Sequence, residues 1–97
     1  MAKEKIIKSS GNVFLDLGFP PEEAAILAMR SALMAQLRLL IERRKWTQVQ
    51  AAAELGIAQS RVSDLVRGKW DKFRLDMLLM LAARAGLRPQ LKLSNAA

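Results

Sequence analysis

Cysteine and histidine are both absent from this 97-residue chain. Without cysteine there is no disulfide framework, and without histidine the usual general base and metal ligand are missing. Catalysis would then fall to a carboxylate pair, a Ser–Lys pair or a metal cage. The nine acidic residues are instead scattered over helix ends and faces. No glycine-rich loop of the kind that cradles phosphate is present. An enzyme is therefore not expected, and no cofactor, metal or small-molecule substrate is called for. Long apolar runs are lacking as well. The longest uninterrupted one, Met77 to Ala83, falls far short of the ~20 residues that span a bilayer. The charged lead Lys3 to Lys8 is not followed by a secretory apolar core. The expectation is a soluble cytoplasmic protein without a membrane partner.

Positive charge and apolar side chains are in excess. A net charge of +7 and an isoelectric point near 10.6 favour a polyanionic partner. A hydrophobic share of 52% is high for one small domain, so part of the apolar surface is expected to be covered by a partner. Nine basic and four acidic residues fall between Arg38 and Arg74, so most of the net charge sits on that stretch.

The same stretch contains the pattern Thr47 to Lys69, TQVQAAAELGIAQSRVSDLVRGK. Thr47 is placed to cap a helix, with Gln50 completing a capping box and Trp46 ahead of it as a staple onto Ala51. A short helix over about Gln48 to Leu55 stops at Gly56, suited to the left-handed turn past a helix end. Ile57 returns to the core, and a second short helix runs from about Gln59 to Arg67, ended by Gly68. Two short helices about a glycine-centred turn, with small alanines where backbones approach, predict a helix-turn-helix over residues 47–67. Ala58 leaves the second helix without a side-chain cap.

Residues 1–19 read as a lysine-rich lead and an apolar arm. Val13, Leu15, Leu17 and Phe19 alternate as in a half-buried strand, although Phe14 breaks the alternation and Gly18 suggests a turn. An extended arm is expected, covered by its own domain, a second copy or another protein. Pro20-Pro21-Glu22-Glu23 starts a helix that continues without Gly or Pro to about Arg44. It is read as one helix of roughly 35 Å, with Arg30-Ser31 a place where it could break. Its first half overhangs the domain and leaves Ile26, Leu27 and Met29 needing cover. A last helix spans about Leu75 to Ala85, with Leu75, Leu78, Leu79, Ala82 and Ala85 expected to face the core. Leu87 to Leu93 then alternates, Pro89 restricting it to an edge strand or tail, and residues 94–97 are tail.

Thr47-Gln48, Ala52, Gly56-Ile57, Val62-Ser63, Leu65 and Arg67-Gly68-Lys69 sit where XRE/Cro-type DNA-binding domains place similar residues. Gly11-Asn12-Val13-Phe14-Leu15-Asp16-Leu17-Gly18, with Glu22-Glu23-Ala24 and the long helix, resembles small HigA-like antitoxins carrying an N-V-F-x-D-L-G arm. The resemblance covers about residues 11 to 93. It implies an all-α, five-helix, lambda-repressor-like helix-turn-helix domain over residues 20–93, with an extended N-terminal arm and a short C-terminal strand or tail. It further implies a homodimer that binds its own operon's promoter and neutralises a RelE/HigB-like toxin. Arg74 stands where the family has Ser, and Pro89 interrupts the family's final strand.

On the second helix, Val62, Leu65 and Val66 are expected to point inward. The opposite face then offers Ser60, Asp64 and Arg67, flanked by Gln59, Ser63 and Arg61, to base edges in double-stranded DNA. Gln59 suits adenine, Arg61 guanine or a phosphate, and Asp64 accepts only from cytosine N4 or adenine N6. Gln48 is the residue such domains aim at a phosphate, with Thr47, Arg43, Arg44, Lys69, Lys72 and Arg74 around the rim. Val13, Phe14, Leu15, Leu17, Ile26, Leu27, Met29, Leu91 and Leu93 are the candidate dimer or partner surface. The leading expectation is a dimeric repressor that acts as an antitoxin. A regulator of the same fold without a toxin is the close alternative, and an interaction or membrane-surface module is a third class.

Overall fold

A computed structural model describes residues 12–94. Among the described residues five α-helices follow one another: α1 (Val13–Asp16), α2 (Pro21–Arg43), α3 (Gln48–Leu55), α4 (Gln59–Val66) and α5 (Leu75–Arg84). A 3-10 turn, Trp70–Lys72, links α4 to α5, and no strand occurs among the described residues. The all-α expectation holds. The fifth helix comes from the arm, because α2 runs 23 residues without a break at Arg30-Ser31.

The arm is where the expectation fails. Instead of an extended strand it forms one helical turn, and the residue that broke the alternation is the one it buries. Phe14 is 6% exposed, whereas Val13 and Leu17 are 60% and 69% exposed. Asn12 explains the local conformation. Its side-chain oxygen accepts from the Phe14 N–H at 2.9 Å, capping α1, while its amide donates to the Ala24 carbonyl at 3.1 Å. Gly18, at φ +99°, turns the chain back towards α2 in a conformation that L side chains rarely adopt. Phe14 then packs edge-on against Phe19 and Trp70, with ring centroids 6.0 and 5.5 Å away. Ala24 and Leu27 of α2 complete this small cluster. The arm therefore lies on its own chain, and the overhang of α2 is partly covered by it.

The main core draws on every other helix. Met34, Leu37, Leu40 and Ile41 of α2 meet Ala51 and Leu55 of α3, Val62 and Leu65 of α4, and Leu78, Leu81 and Ala82 of α5. Phe73, from the connector after the 3-10 turn, is 1% exposed and fills the centre. Two inward expectations are corrected. Leu81 takes the buried place expected of Leu79, which is 39% exposed, because Leu78, Leu81, Ala82 and Ala85 form the narrower stripe. Val66 is 40% exposed, lying off the Val62–Leu65 line at the last turn of α4. Residues 88–94 form a tail without regular structure, with Leu91 and Leu93 exposed.

By length and mean hydropathy, 1.5 over an 18-residue window, α2 matches a membrane-spanning helix. Uninterrupted apolar runs missed this, because Arg30 and Arg38 divide the helix. Six of its side chains form the domain's interior, and α1, α4, α5 and the 3-10 turn all pack on it. It is the central helix of a folded domain.

Candidate nucleic-acid interface

The two helices expected to form the motif are built as their sequences dictate. Thr47 Oγ1 accepts from the Gln50 N–H at 3.1 Å, and Gln50 Oε1 accepts from the Thr47 N–H at 2.9 Å. This reciprocal box satisfies two donors at the start of α3. Trp46 is half-buried against the main core, which includes Ala51. At the other end Gly56 takes φ 69° and ψ 34°, and its N–H donates to the Ala52 carbonyl at 2.8 Å. Ile57 then packs on the core and re-aims the chain into α4. As expected, Ala58 gives α4 no side-chain cap.

One fixing residue was missed in the sequence. Arg84, in the last turn of α5, donates from Nη1 to the Leu55 carbonyl at 2.9 Å and so closes the C-terminus of α3. A side chain at residue 56 would come within 3.1 Å of that guanidinium. Its only sequence signal was a basic residue near a helix end, a common feature that does not name the carbonyl it will meet.

Val62 and Leu65 are fully buried, which fixes the rotation of α4 about its axis. Gln59, Ser60, Arg61 and Arg67 are exposed along its outer side, and Ser63 and Asp64 are half-buried beside them. Asp64 does not stand alone. One carboxylate oxygen lies 3.3 Å from Arg61 Nη1 and the other 3.9 Å from Lys69 Nζ. The unusual acid therefore splits its charge between two cations, holding both near the outer face of α4. Both cations are exposed and the shared carboxylate is only half-buried, so the pairs orient more than they stabilise.

The rim residues divide. Thr47, Gln48, Lys69 and Lys72 are exposed around the motif, and Arg74 is exposed with Asp76 at 3.5 Å. Arg43 lines a groove with Gln36, Leu40 and Leu87, on the side of α2 towards the end of α5. Arg44 is engaged within the fold. Its Nη1 donates to the Ala85 carbonyl at 2.9 Å, and its guanidinium lies 5.1 Å from the Trp46 ring centroid. Although exposed, it is also a clamp joining α2, α5 and the start of α3, which competes with its expected phosphate role. Arg44→Ala is expected to lower stability by about 1–2 kcal/mol. Urea unfolding checks this, and a fall in DNA affinity at unchanged stability would restore the phosphate role.

Among the candidate dimer or partner residues, Phe14 and Leu27 are buried and unavailable. Val13, Leu15, Leu17, Ile26, Met29, Leu91 and Leu93 remain at the surface. Among the described residues, no group of three or more acids, cysteines or histidines is assembled into a metal site.

Two short helices locked at a left-handed glycine, one of them presenting a polar and basic outer face, define a helix-turn-helix DNA-binding domain. The chain matches the helix-turn-helix domain family over residues 13–94 and belongs to it. No characterised protein and no solved structure matches it significantly.

Proposed function

We propose that this protein is a sequence-specific, dimeric transcriptional repressor of the XRE type. It has no catalytic activity of its own and acts in the cytoplasm on double-stranded DNA. The observation that carries this reading is the rotation of α4. With Val62 and Leu65 at zero exposure, Gln59, Ser60, Arg61 and Arg67 are held outward on a rigid helix. Such a helix enters a major groove with its N-terminal residues at the base edges.

Selection from random duplex DNA should return an enriched motif. Gln59→Ala or Arg61→Ala should relax preference at one or two base pairs, with ~1–3 kcal/mol lost for each base contact. Lys69→Ala should instead weaken all sequences alike. Absence of any enriched motif would rule the reading out.

The finer reading, an autoregulating antitoxin, rests on the resemblance of the arm and long helix to HigA-like proteins. The arm's docking on its own chain removes the need for a toxin to cover Phe14, yet Val13 and Leu17 stay exposed beside the acidic Asp16, Glu22 and Glu23. These suit the basic, RNA-holding groove of a RelE/HigB-like toxin. Co-expression with the neighbouring gene product tests it: a toxic neighbour should copurify and be silenced. A harmless neighbour leaves the regulator without a toxin.

A further inference from the structure

The most conspicuous unexplained surface is the outward side of α2. A helix apolar all round is normally buried all round, yet only 33% of the apolar window of α2 is buried. At about 100° per residue, Ala25, Met29, Ala32, Gln36, Leu39 and Arg43 fall on one line pointing away from the core. All six are exposed. Their spacing alternates four and three residues, the seam of a two-helix coiled coil. Ile26 and Leu33 flank the seam on one side, Ala28 and Ala35 on the other, so the apolar band is wide.

We propose that this seam pairs antiparallel with the same seam of a second copy; this rests on the dimeric reading given above. The seam is self-complementary about its midpoint. Met29 meets Leu39 of the other copy, Ala32 meets Gln36, and Ala25 meets Arg43, each pair occurring twice. Large side chains thus face one another on either side of a centre where Ala32 meets Gln36.

Charge selects the second copy and its direction. The acids of the first turn, Glu22 and Glu23, lie at one end of α2, and at the other Arg43, with Arg44 and Lys45, outweighs Glu42. Antiparallel pairing brings Arg43 one turn from Glu22 of the partner copy and opposes the two helix dipoles. A parallel pair would stack acid on acid and Arg on Arg. The seam between these ends carries no charge. A bilayer would offer nothing to set the opposed ends.

The position of α4 agrees with this arrangement. Val66, in its last turn, lines a groove with Ala35, Arg38 and Leu39 along one flank of the seam. A two-fold axis perpendicular to the helix pair leaves that flank on the same side in both copies. Both α4 helices therefore emerge on one side, as reading two half-sites on one face of DNA requires.

The test uses the full chain, whose lack of cysteine permits clean labelling. Sedimentation velocity without DNA should show a dimer at micromolar concentration. Met29→Glu and Leu39→Glu, both at exposed positions, should each raise its dissociation constant about a hundredfold by burying an unpaired charge. Their melting curves should still show a folded domain, and Leu39→Met should remain dimeric. Met29→Cys mixed with Leu39→Cys should cross-link through a short bis-maleimide, while neither should cross-link alone. Self-linking of each variant, dimers that survive both Glu substitutions, or a monomer that binds lipid vesicles would overturn the proposal. Mixed cross-linking without an enriched DNA motif would uphold the seam and remove the repressor. An enriched motif read by a dimer that fails to cross-link this way would keep the repressor and remove the seam.

Discussion

Phe14→Ala is expected to destabilise the chain by about 3–5 kcal/mol, the range for truncating a buried aromatic. A domain of this size has a total stability of only ~5–15 kcal/mol, so much of it depends on one residue of a four-residue helix. The side chain is 6% exposed, and it joins three segments: its own turn through Phe19, α2 through Ala24 and Leu27, and the 3-10 turn through Trp70. Trp70 follows Lys69, four residues past Val66 at the end of α4, so the arm braces the exit from the helix proposed to read DNA. Leu17→Ala is the matched control. That side chain is 69% exposed and its loss should change stability by less than ~0.5 kcal/mol. Urea unfolding of the chain without partners separates the two. Equal, small effects would mean that the arm does not dock on its own domain.

Operator binding is expected to fall about a thousandfold between 50 and 200 mM monovalent salt. Lys69, Lys72 and Arg74 are exposed around the motif on each copy, giving roughly six phosphate-neutralising cations over a dimer. Each releases condensed counterions, so log K should fall with log salt at a slope near −5. Thr47 and Gln48 position the backbone without charge and should leave that slope unchanged when replaced. Arg44 is held by Ala85 and Trp46 and should contribute little. Lys72→Ala, one lost cation per copy, should make the slope shallower by about two. Affinity measured by fluorescence anisotropy over a salt series reads all of these. A slope near zero would mean that charge does not drive the encounter, and the basic stretch would need another partner.

The helix-turn-helix was legible because its signals are local. A capping box needs only Thr47 and Gln50, a left-handed stop needs only Gly56, and the missing cap needs only Ala58. Each acts within one turn of backbone, so reading the chain in order recovers it. The long helix was legible for the same reason, from Pro21 and the acids at its start and the lack of any breaker to Arg43. What the sequence left open depended on residues distant in the chain. Val13, Leu15 and Leu17 alternate like a strand, but the Asn12 bond to Ala24 and the Trp70 ring decide that Phe14 goes inward. Arg44 reads from the sequence as a rim cation and Arg84 carries no reading beyond a basic residue near a helix end; only the fold brings the carbonyls of Ala85 and Leu55 beside them. Periodicity also could not choose between Leu79 and Leu81, since a short helix with apolar residues on most sides has no unique face until its neighbours are in place. Local hydrogen bonding is encoded within a few residues. Burial belongs to whatever the rest of the chain packs against, and only the tertiary structure assigns it.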